Sequence, residues 1–281
     1  MVEIPGGEFL MGTDDAEGFP GDGEGPVRPV TVRTFLLDQR AVTNAQFAEF
    51  VKATGYKTEA QRFGWSFVFH QFVSPRARKQ VMGVSGPAPW WLAAKGAHWL
   101  KPEGIDSTIR GRENHPAVHV SWNDAVAYAR WAGKRLPTEA EWEFAARGGL
   151  EQQKYPWGND LTPDGVHRCN IWQGEFPDQN TGDDGYLGTA PAGAFLPNGF
   201  GLYNVAGNVW EWCSDWFSAA YHARGPRDNP VGPPSGQARV VRGGSYLCHK
   251  SYCNRYRVAA RSANTPDSAA GNMGFRCAAD L

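Results

Sequence analysis

About one residue in five of this chain is glycine or proline: 34 glycines and 20 prolines in 281 residues. Average usage of the two together is nearer 12%. Both residues interrupt helices and strands, one by backbone freedom and the other by fixing φ and removing a donor. Such a chain cannot be built mainly from long regular elements. The 12 tryptophans point to how it holds together, because each buried indole supplies a large apolar area. Aromatic residues make up 13% and occur throughout, so the skew is not low complexity or disorder. The expectation is an irregular, loop-rich globule packed around aromatic side chains.

Charge narrows the function. The 28 basic and 29 acidic residues leave a formal net charge of -1, which speaks against a nucleic-acid binder or a polybasic membrane-surface protein. No run approaches 18 uninterrupted apolar residues, so no membrane-spanning helix is expected. Met1 to Gly12 has neither a basic n-region nor an apolar h-region. A cytoplasmic location is therefore expected. The length permits one large domain or two small ones. With no fixed-period repeat and no linker, 1–281 reads as one domain.

Three helices announce themselves by capping boxes. Thr43 with Gln46 opens one that runs to Thr54 and stops at Gly55. Ser121 with Asp124 opens a second, followed by Gly133. Thr138 with Glu141 opens a third, closed by Gly148 and Gly149. Partial alternation over Val27 to Leu37 predicts a strand, and Val118–Val120 and Arg239–Arg242 predict short ones. The acid-rich stretch from Asp14 to Pro29 reads as a solvated loop. From Gly148 to Pro234 there is little periodicity, and so long a structureless run calls for something that stiffens it.

Metal ions are the first candidates. Asn170, Asp178, Asn180, Asp183 and Asp184 crowd one loop beside Gly185. Calcium takes six to eight oxygens from such carboxylates, amides and carbonyls, although capped polar turns use the same residues. Asn204, Gly207, Asn208 and Glu211 form a second oxygen-rich stretch among aromatic residues.

The densest chemistry surrounds Cys248 and Cys253. No acid occurs from Asn229 through Pro266, whereas Arg239, Arg242, Lys250, Arg255, Arg257 and Arg261 do. A positive field favours the thiolate, which is both nucleophile and metal ligand. A five-residue step joins two thiols on neither a strand nor a helix, so the connection must bend if they act together. Two sulfurs alone do not make a zinc site but suit a soft, low-coordinate ion such as Cu(I). A redox disulfide, a Cu(I) dithiolate and two unrelated cysteines all remain open on residue chemistry. His249 reads as a packed or capping residue. Tyr246, Tyr252 and Tyr256 read as packing or as pocket walls. Five cysteines are too few and too odd in number for a disulfide framework.

The segment GGSYLCHKSYCNRYRVAARSANTPDSAAGNMGFRCAAD resembles the C-terminal signature of the formylglycine-generating enzymes, or sulfatase-modifying factors. The resemblance extends through IPGGEFLMG, HPAVHVSWNDAVAYARWAGKRLPTEAEWEFAARGG, NIWQGEFP, NTGDDGY and GLYNVAGNVWEW. It implies a single α+β domain of C-type-lectin-like character with much irregular structure. It implies oxidation of a sulfatase cysteine, in an unfolded or nascent Cys-x-Pro-x-Arg segment, to Cα-formylglycine (3-oxoalanine), with O2 and a thiol reductant. Cys248 and Cys253 match the family's Cu(I)-binding pair and Ser245 a serine beside it. Asn170, the Ile171 carbonyl, Asp184 and the Tyr186 carbonyl match one structural Ca2+ site. Asn204, the Gly207 and Val209 carbonyls and Glu211 match the other. Partners would be the sulfatase chain, O2 and the reductant, with no nucleic acid or membrane, and the protein would act as a monomer.

Secretory-pathway members carry disulfides at positions that here read Cys277 with Ala129, and Ala146 with Val258. That loss fits a cytoplasmic, bacterial-type member and leaves Cys169, Cys213 and Cys277 as buried thiols. A sulfoxide synthase of the same superfamily would need an H-x-x-x-H-x-E run and a further helical domain, and neither is present. A non-catalytic lectin-like binding module is the competing reading.

Overall fold

The three capping boxes form as expected, because each is a local exchange of hydrogen bonds that needs no distant partner. In a computed structural model describing residues 1–281, the chain begins with strands β1 (Val2–Ile4), β2 (Gly7–Met11), β3 (Arg28–Val32) and β4 (Phe35–Leu37). Helices α1 (Asn44–Thr54) and α2 (Glu59–Phe63), strand β5 (Trp65–Phe69), helix α3 (Pro75–Arg78) and strands β6 (Val81–Ser85) and β7 (Ala88–Lys95) follow. Then come α4 (Trp122–Trp131), α5 (Glu139–Arg147), β8 (Gly174–Glu175), β9 (Gln179–Asn180), β10 (Trp210–Trp216) and α6 (Tyr221–Arg224). The chain closes with β11 (Arg239–Arg242), β12 (Arg261–Asn264), β13 (Met273–Gly274) and β14 (Ala278–Ala279).

The central sheet has the order β12-β11-β10-β13, and a second joins β1, β4 and β14. The two ends of the chain thus meet on β4. Helices α1 and α4 cover one core, where Phe47, Phe50, Trp99, Tyr128, Trp212 and Phe275 pack. Helix α5 brings Trp142 into a second core with Ile4, Phe35, Leu202 and Cys213. Ala129 and Cys277 share the first core, and Ala146 and Val258 the second. Apolar packing therefore stands at both positions where secreted relatives were expected to carry bridges. All five cysteines are free and buried.

Three expectations fail for identifiable reasons. The strand expected over Val27–Leu37 is two strands in different sheets: β3 pairs with β2, whereas β4 pairs with β1 and β14. Val118–Val120 is not a strand, because His119 has φ 57° and its ring is buried between Ser66 and the Pro102 carbonyl. The run from Gly148 to Pro234 contains β10, the strand that joins β11 to β13. Its alternation is hidden because Glu211 and Asp215 sit among buried positions.

Candidate active site

Strand β11 leads into the cysteine segment through Gly243 and Gly244, with φ of 89° and 71°. At Gly244 a Cβ would lie 2.9 Å from the Arg255 carbonyl, so no other residue fits without moving the returning chain. Beyond them the backbone turns tightly. The Cys248 N–H donates to the Ser245 carbonyl at 2.9 Å, and the His249 carbonyl accepts from the N–H groups of Tyr252, Cys253 and Asn254. This is the bend that the five-residue spacing required. It brings Cys248 and Cys253 into one buried cluster that borders a single cavity. Both residues are nearly inaccessible, at 2% and 4% exposure.

The two thiols are not equivalent. Burial raises the Cys248 pKa well above the ordinary thiol value, and the neighbouring Cys253 raises it further. Burial acts on Cys253 too, but the neighbouring Cys248 and Arg255 outweigh it, leaving its pKa lowered. The acidic stretch expected to be a solvated loop is instead paired with the basic residues around the thiols. Glu24 forks onto the buried Arg257 at 2.6 and 2.8 Å, Asp22 onto Arg255 at 2.5 and 3.2 Å, and Glu17 meets Lys154 at 2.6 Å. The acids missing from the cysteine segment are supplied by this strap.

Ser245 is fully buried. Its hydroxyl accepts from Asn272 Nδ2 at 2.9 Å and from the Leu247 N–H at 3.3 Å. Above the thiols opens a cavity of about 310 Å³, walled by Trp90, Trp91, Trp210 and Tyr252 and floored by Cys248 and Cys253. Tyr252 stacks on Phe176 at 4.4 Å and meets Trp90 edge-on at 4.8 Å. Tyr246 and Tyr256 are packing residues, and His249 is half-buried with its ring on Ser251. Arg255, Asn272, Trp90 and Trp210 were not singled out from sequence. Only a fold that returns β7, β10 and the C-terminal segment to one place reveals them.

The donor set at the cavity floor is two adjacent sulfurs, with no cluster of three or more His, Cys, Asp or Glu side chains. That fits a soft, two-coordinate cation. The oxygen-rich loops also meet: Asn170 bridges to Gly207, and Asn208 N–H donates to the Asn170 carbonyl at 2.8 Å. Asp184 accepts from Ile171 and Tyr186 N–H, both at 2.9 Å. Gln173, missed by sequence reading, donates to the Ile171 carbonyl at 2.6 Å and to Asp184 at 3.2 Å. Glu211 lies in the second stretch and receives the buried Arg276 on both oxygens at 2.7 Å and Trp142 at 2.8 Å. Asn170 Oδ1, Gln173 Oε1 and Asn204 Oδ1 are buried with no donor. An orphaned acceptor at each stretch is what a hard cation would satisfy.

A buried dithiol beneath an aromatic cleft, on an α+β scaffold rich in irregular backbone, defines a thiol-chemistry domain of the sulfatase-modifying class. A family model described as sulfatase-modifying factor enzyme 1-like domain matches residues 1–281, and the chain belongs to that family, which includes the formylglycine-generating enzymes. The formylglycine-generating enzyme of Thermomonospora curvata is 67% identical over 284 residues, covering 100% of this chain and 93% of the relative. A Mus musculus relative named inactive C-alpha-formylglycine-generating enzyme 2 is 50% identical over 282 residues, covering 99% and 85%. The solved structure of PvdO from Pseudomonas aeruginosa is similar with a TM-score of 0.72 at 27% identity, covering 99% of this chain and 93% of that one. Active and inactive relatives share the scaffold, so activity must be argued from the site.

Proposed function

We infer that this protein oxidises a cysteine of a sulfatase, within a Cys-x-Pro-x-Arg segment, to Cα-formylglycine. The observation that carries the reading is the pair Cys248 and Cys253, buried, unbridged and in contact at the floor of an open cavity. In the overall balance the substrate CH2–SH becomes CHO and sulfur leaves as hydrogen sulfide. O2 supplies the aldehyde oxygen and one water, and two external thiols are oxidised to a disulfide.

Cys248 and Cys253 would hold Cu(I), which when bound supplies the one-electron chemistry that O2 needs to react with a closed-shell thiol. The protein's own groups prepare the site. The Ser245 carbonyl holds the Cys248 N–H at 2.9 Å, and Arg255 lines the cavity beside Cys253. Cys248 and Cys253 are themselves 2% and 4% exposed, so charge interactions at their sulfurs are stronger than in solvent. Asn272 holds the Ser245 hydroxyl in place. Two Ca2+ ions would stiffen the loops, one at Asn170, Ile171, Asp184 and Tyr186 and the other at Asn204, Gly207, Val209 and Glu211. The donor-less oxygens support this reading. The free cysteines support a reducing compartment such as the cytoplasm, and no helix is long and apolar enough to cross a membrane.

The test is a peptide containing Leu-Cys-x-Pro-x-Arg, incubated with enzyme, Cu(I), air and a thiol reductant, and read by mass. Replacement of one sulfur and two hydrogens by one oxygen, only with copper, is the expected result. Cys248→Ala and Cys253→Ala should each reduce turnover to background. Full activity in either variant would overturn the dithiolate reading.

A further inference from the structure

Among the residues lining the cavity above the cysteines, Arg255 alone carries a charge. It is held from several sides. Its Nε and Nη2 donate to the Asp22 carboxylate at 2.5 and 3.2 Å. The guanidinium carbon lies 4.1 Å from the Phe19 ring centroid. The same side chain lines the cavity together with Cys253, two residues before it in the chain. A guanidinium is planar with five donors in a rigid fork, so a bidentate acid on one edge and a ring against its face set where the remaining donors point.

Asp22 is itself anchored. The Asp22 and Gly23 carbonyls both accept from Arg261, at 3.3 and 3.1 Å, and Glu24 grips the buried Arg257. The strap also reaches the cysteine turn directly, through Asn254 Nδ2 to the Glu17 carbonyl at 3.3 Å. Asp22 therefore sits on a braced support and not on a free loop.

We propose that Asp22 and Phe19 are positioning residues of the active site, holding Arg255 against Cys253, where its charge offsets the sulfur anions that gather when a substrate cysteine enters. This rests on the reading of Cys248 and Cys253 as a Cu(I) site. A bound monovalent cation leaves a dithiolate with net negative charge, and a substrate thiolate adds another. At sulfurs this buried such charges need a fixed counter-charge, and Arg255 is the one charged side chain on the cavity wall placed to supply it.

Asp22→Asn separates positioning from bulk electrostatics, because the two predict opposite signs. Two thiols that take up a monovalent cation release two protons, so the site becomes more negative by one charge; by charge alone, removing a nearby anion while Arg255 stays in place would therefore strengthen binding. A released Arg255 weakens it. The measurement is Cu(I) affinity, titrated on the metal-free protein against bathocuproine disulfonate. We expect Asp22→Asn and Arg255→Met each to weaken affinity by about tenfold, the weight of one charge-assisted hydrogen bond. Asp22→Glu should recover most of the loss. Glu17→Gln, which frees the same strap from Lys154, should bind copper like the unsubstituted protein. In the Arg255→Met background, Asp22→Asn should add nothing further, since Asp22 acts through that arginine.

Equal or tighter binding by Asp22→Asn overturns the proposal, as does an additive double variant. If the unsubstituted protein takes up no copper, the copper reading fails and this inference falls with it. Tight uptake that is indifferent to Asp22 sinks this inference alone. Arg255→Lys covers the case in which Arg255→Met does not fold: it keeps the charge but loses the fork, and wild-type affinity in it would overturn the positioning role.

Discussion

Asp215 shows what burial does to a single carboxyl group. It is 3% exposed, caps α5 by accepting from the Glu139 N–H at 2.8 Å, and accepts from the Ser214 hydroxyl. Burial and the neighbouring Glu139 raise its pKa to about 7. An acid whose folded pKa exceeds the unfolded value near 3.9 holds its proton more tightly in the folded state. Its penalty is absent below the unfolded value, grows as pH rises, and is complete above pH 7. Asp215→Asn should therefore stabilise the protein at pH 8 by on the order of 1–3 kcal/mol, and much less at pH 5, in urea titrations at the two values. Equal effects at both would show that the group is not protonated in the fold. At this scale the sequence was informative where chemistry is carried by residue type. The cysteine pair and its need for a bend were legible, and so was Ser245 through the family resemblance. Arg255 and Asn272 were not, because their roles come from partners far along the chain.

Among elements, those with local signals were legible. The N-caps of α1, α4 and α5 are complete boxes, with Thr138 accepting from Glu141 N–H at 3.1 Å and the Glu141 carboxylate returning to Thr138 N–H at 2.8 Å. Helix α5 also carries Glu139 and Glu143 to the buried Arg242, Arg261 and Arg147, so its start sets the position of that ion network. Thr138→Ala should cost about 1–2 kcal/mol in chemical denaturation, at the upper end for a lost N-cap because the helix is tied at several points. A change within experimental error would mean that packing alone fixes the helix. Strand β10 was illegible for the opposite reason. Its partners β11 and β13 lie far away in sequence, and its buried Glu211 becomes acceptable only once Arg276 arrives. Paired charges in a core look like surface residues until the pairing is known.

For the whole molecule, the question is what stiffens the irregular half. The unsatisfied Asn170 Oδ1 and Asn204 Oδ1 are the oxygens that the proposed calcium ions would occupy. Glu211→Ala is a poor probe, since it would strand Arg276 whether or not calcium binds. Asn204→Ala leaves no charge stranded, although it loses the Asn204 Nδ2 bond to the Pro191 carbonyl at 3.0 Å and puts alanine at φ 51°. Calcium should raise the melting temperature of the unsubstituted protein above its value in EGTA, and Asn204→Ala, whatever its melting temperature in EGTA, should lose most of that rise. A melting temperature indifferent to calcium in both proteins would remove the ions from the account. The glycine and tryptophan content announced a loop-rich, aromatic molecule, and it is one. The joining of distant loops was beyond composition, since composition carries no long-range pairing.

The strap has a temporal meaning as well. Asp22 and Arg255 are 233 residues apart, so a ribosome delivers the acid long before its partner exists. Contacts of such separation close late. Until then Cys248 and Cys253 lack the brace on one side, and a chain still being made carries its reactive sulfurs uncovered. The cysteine site is thereby completed only after both the strap at 17–24 and the turn at 248–257 have been made and brought together.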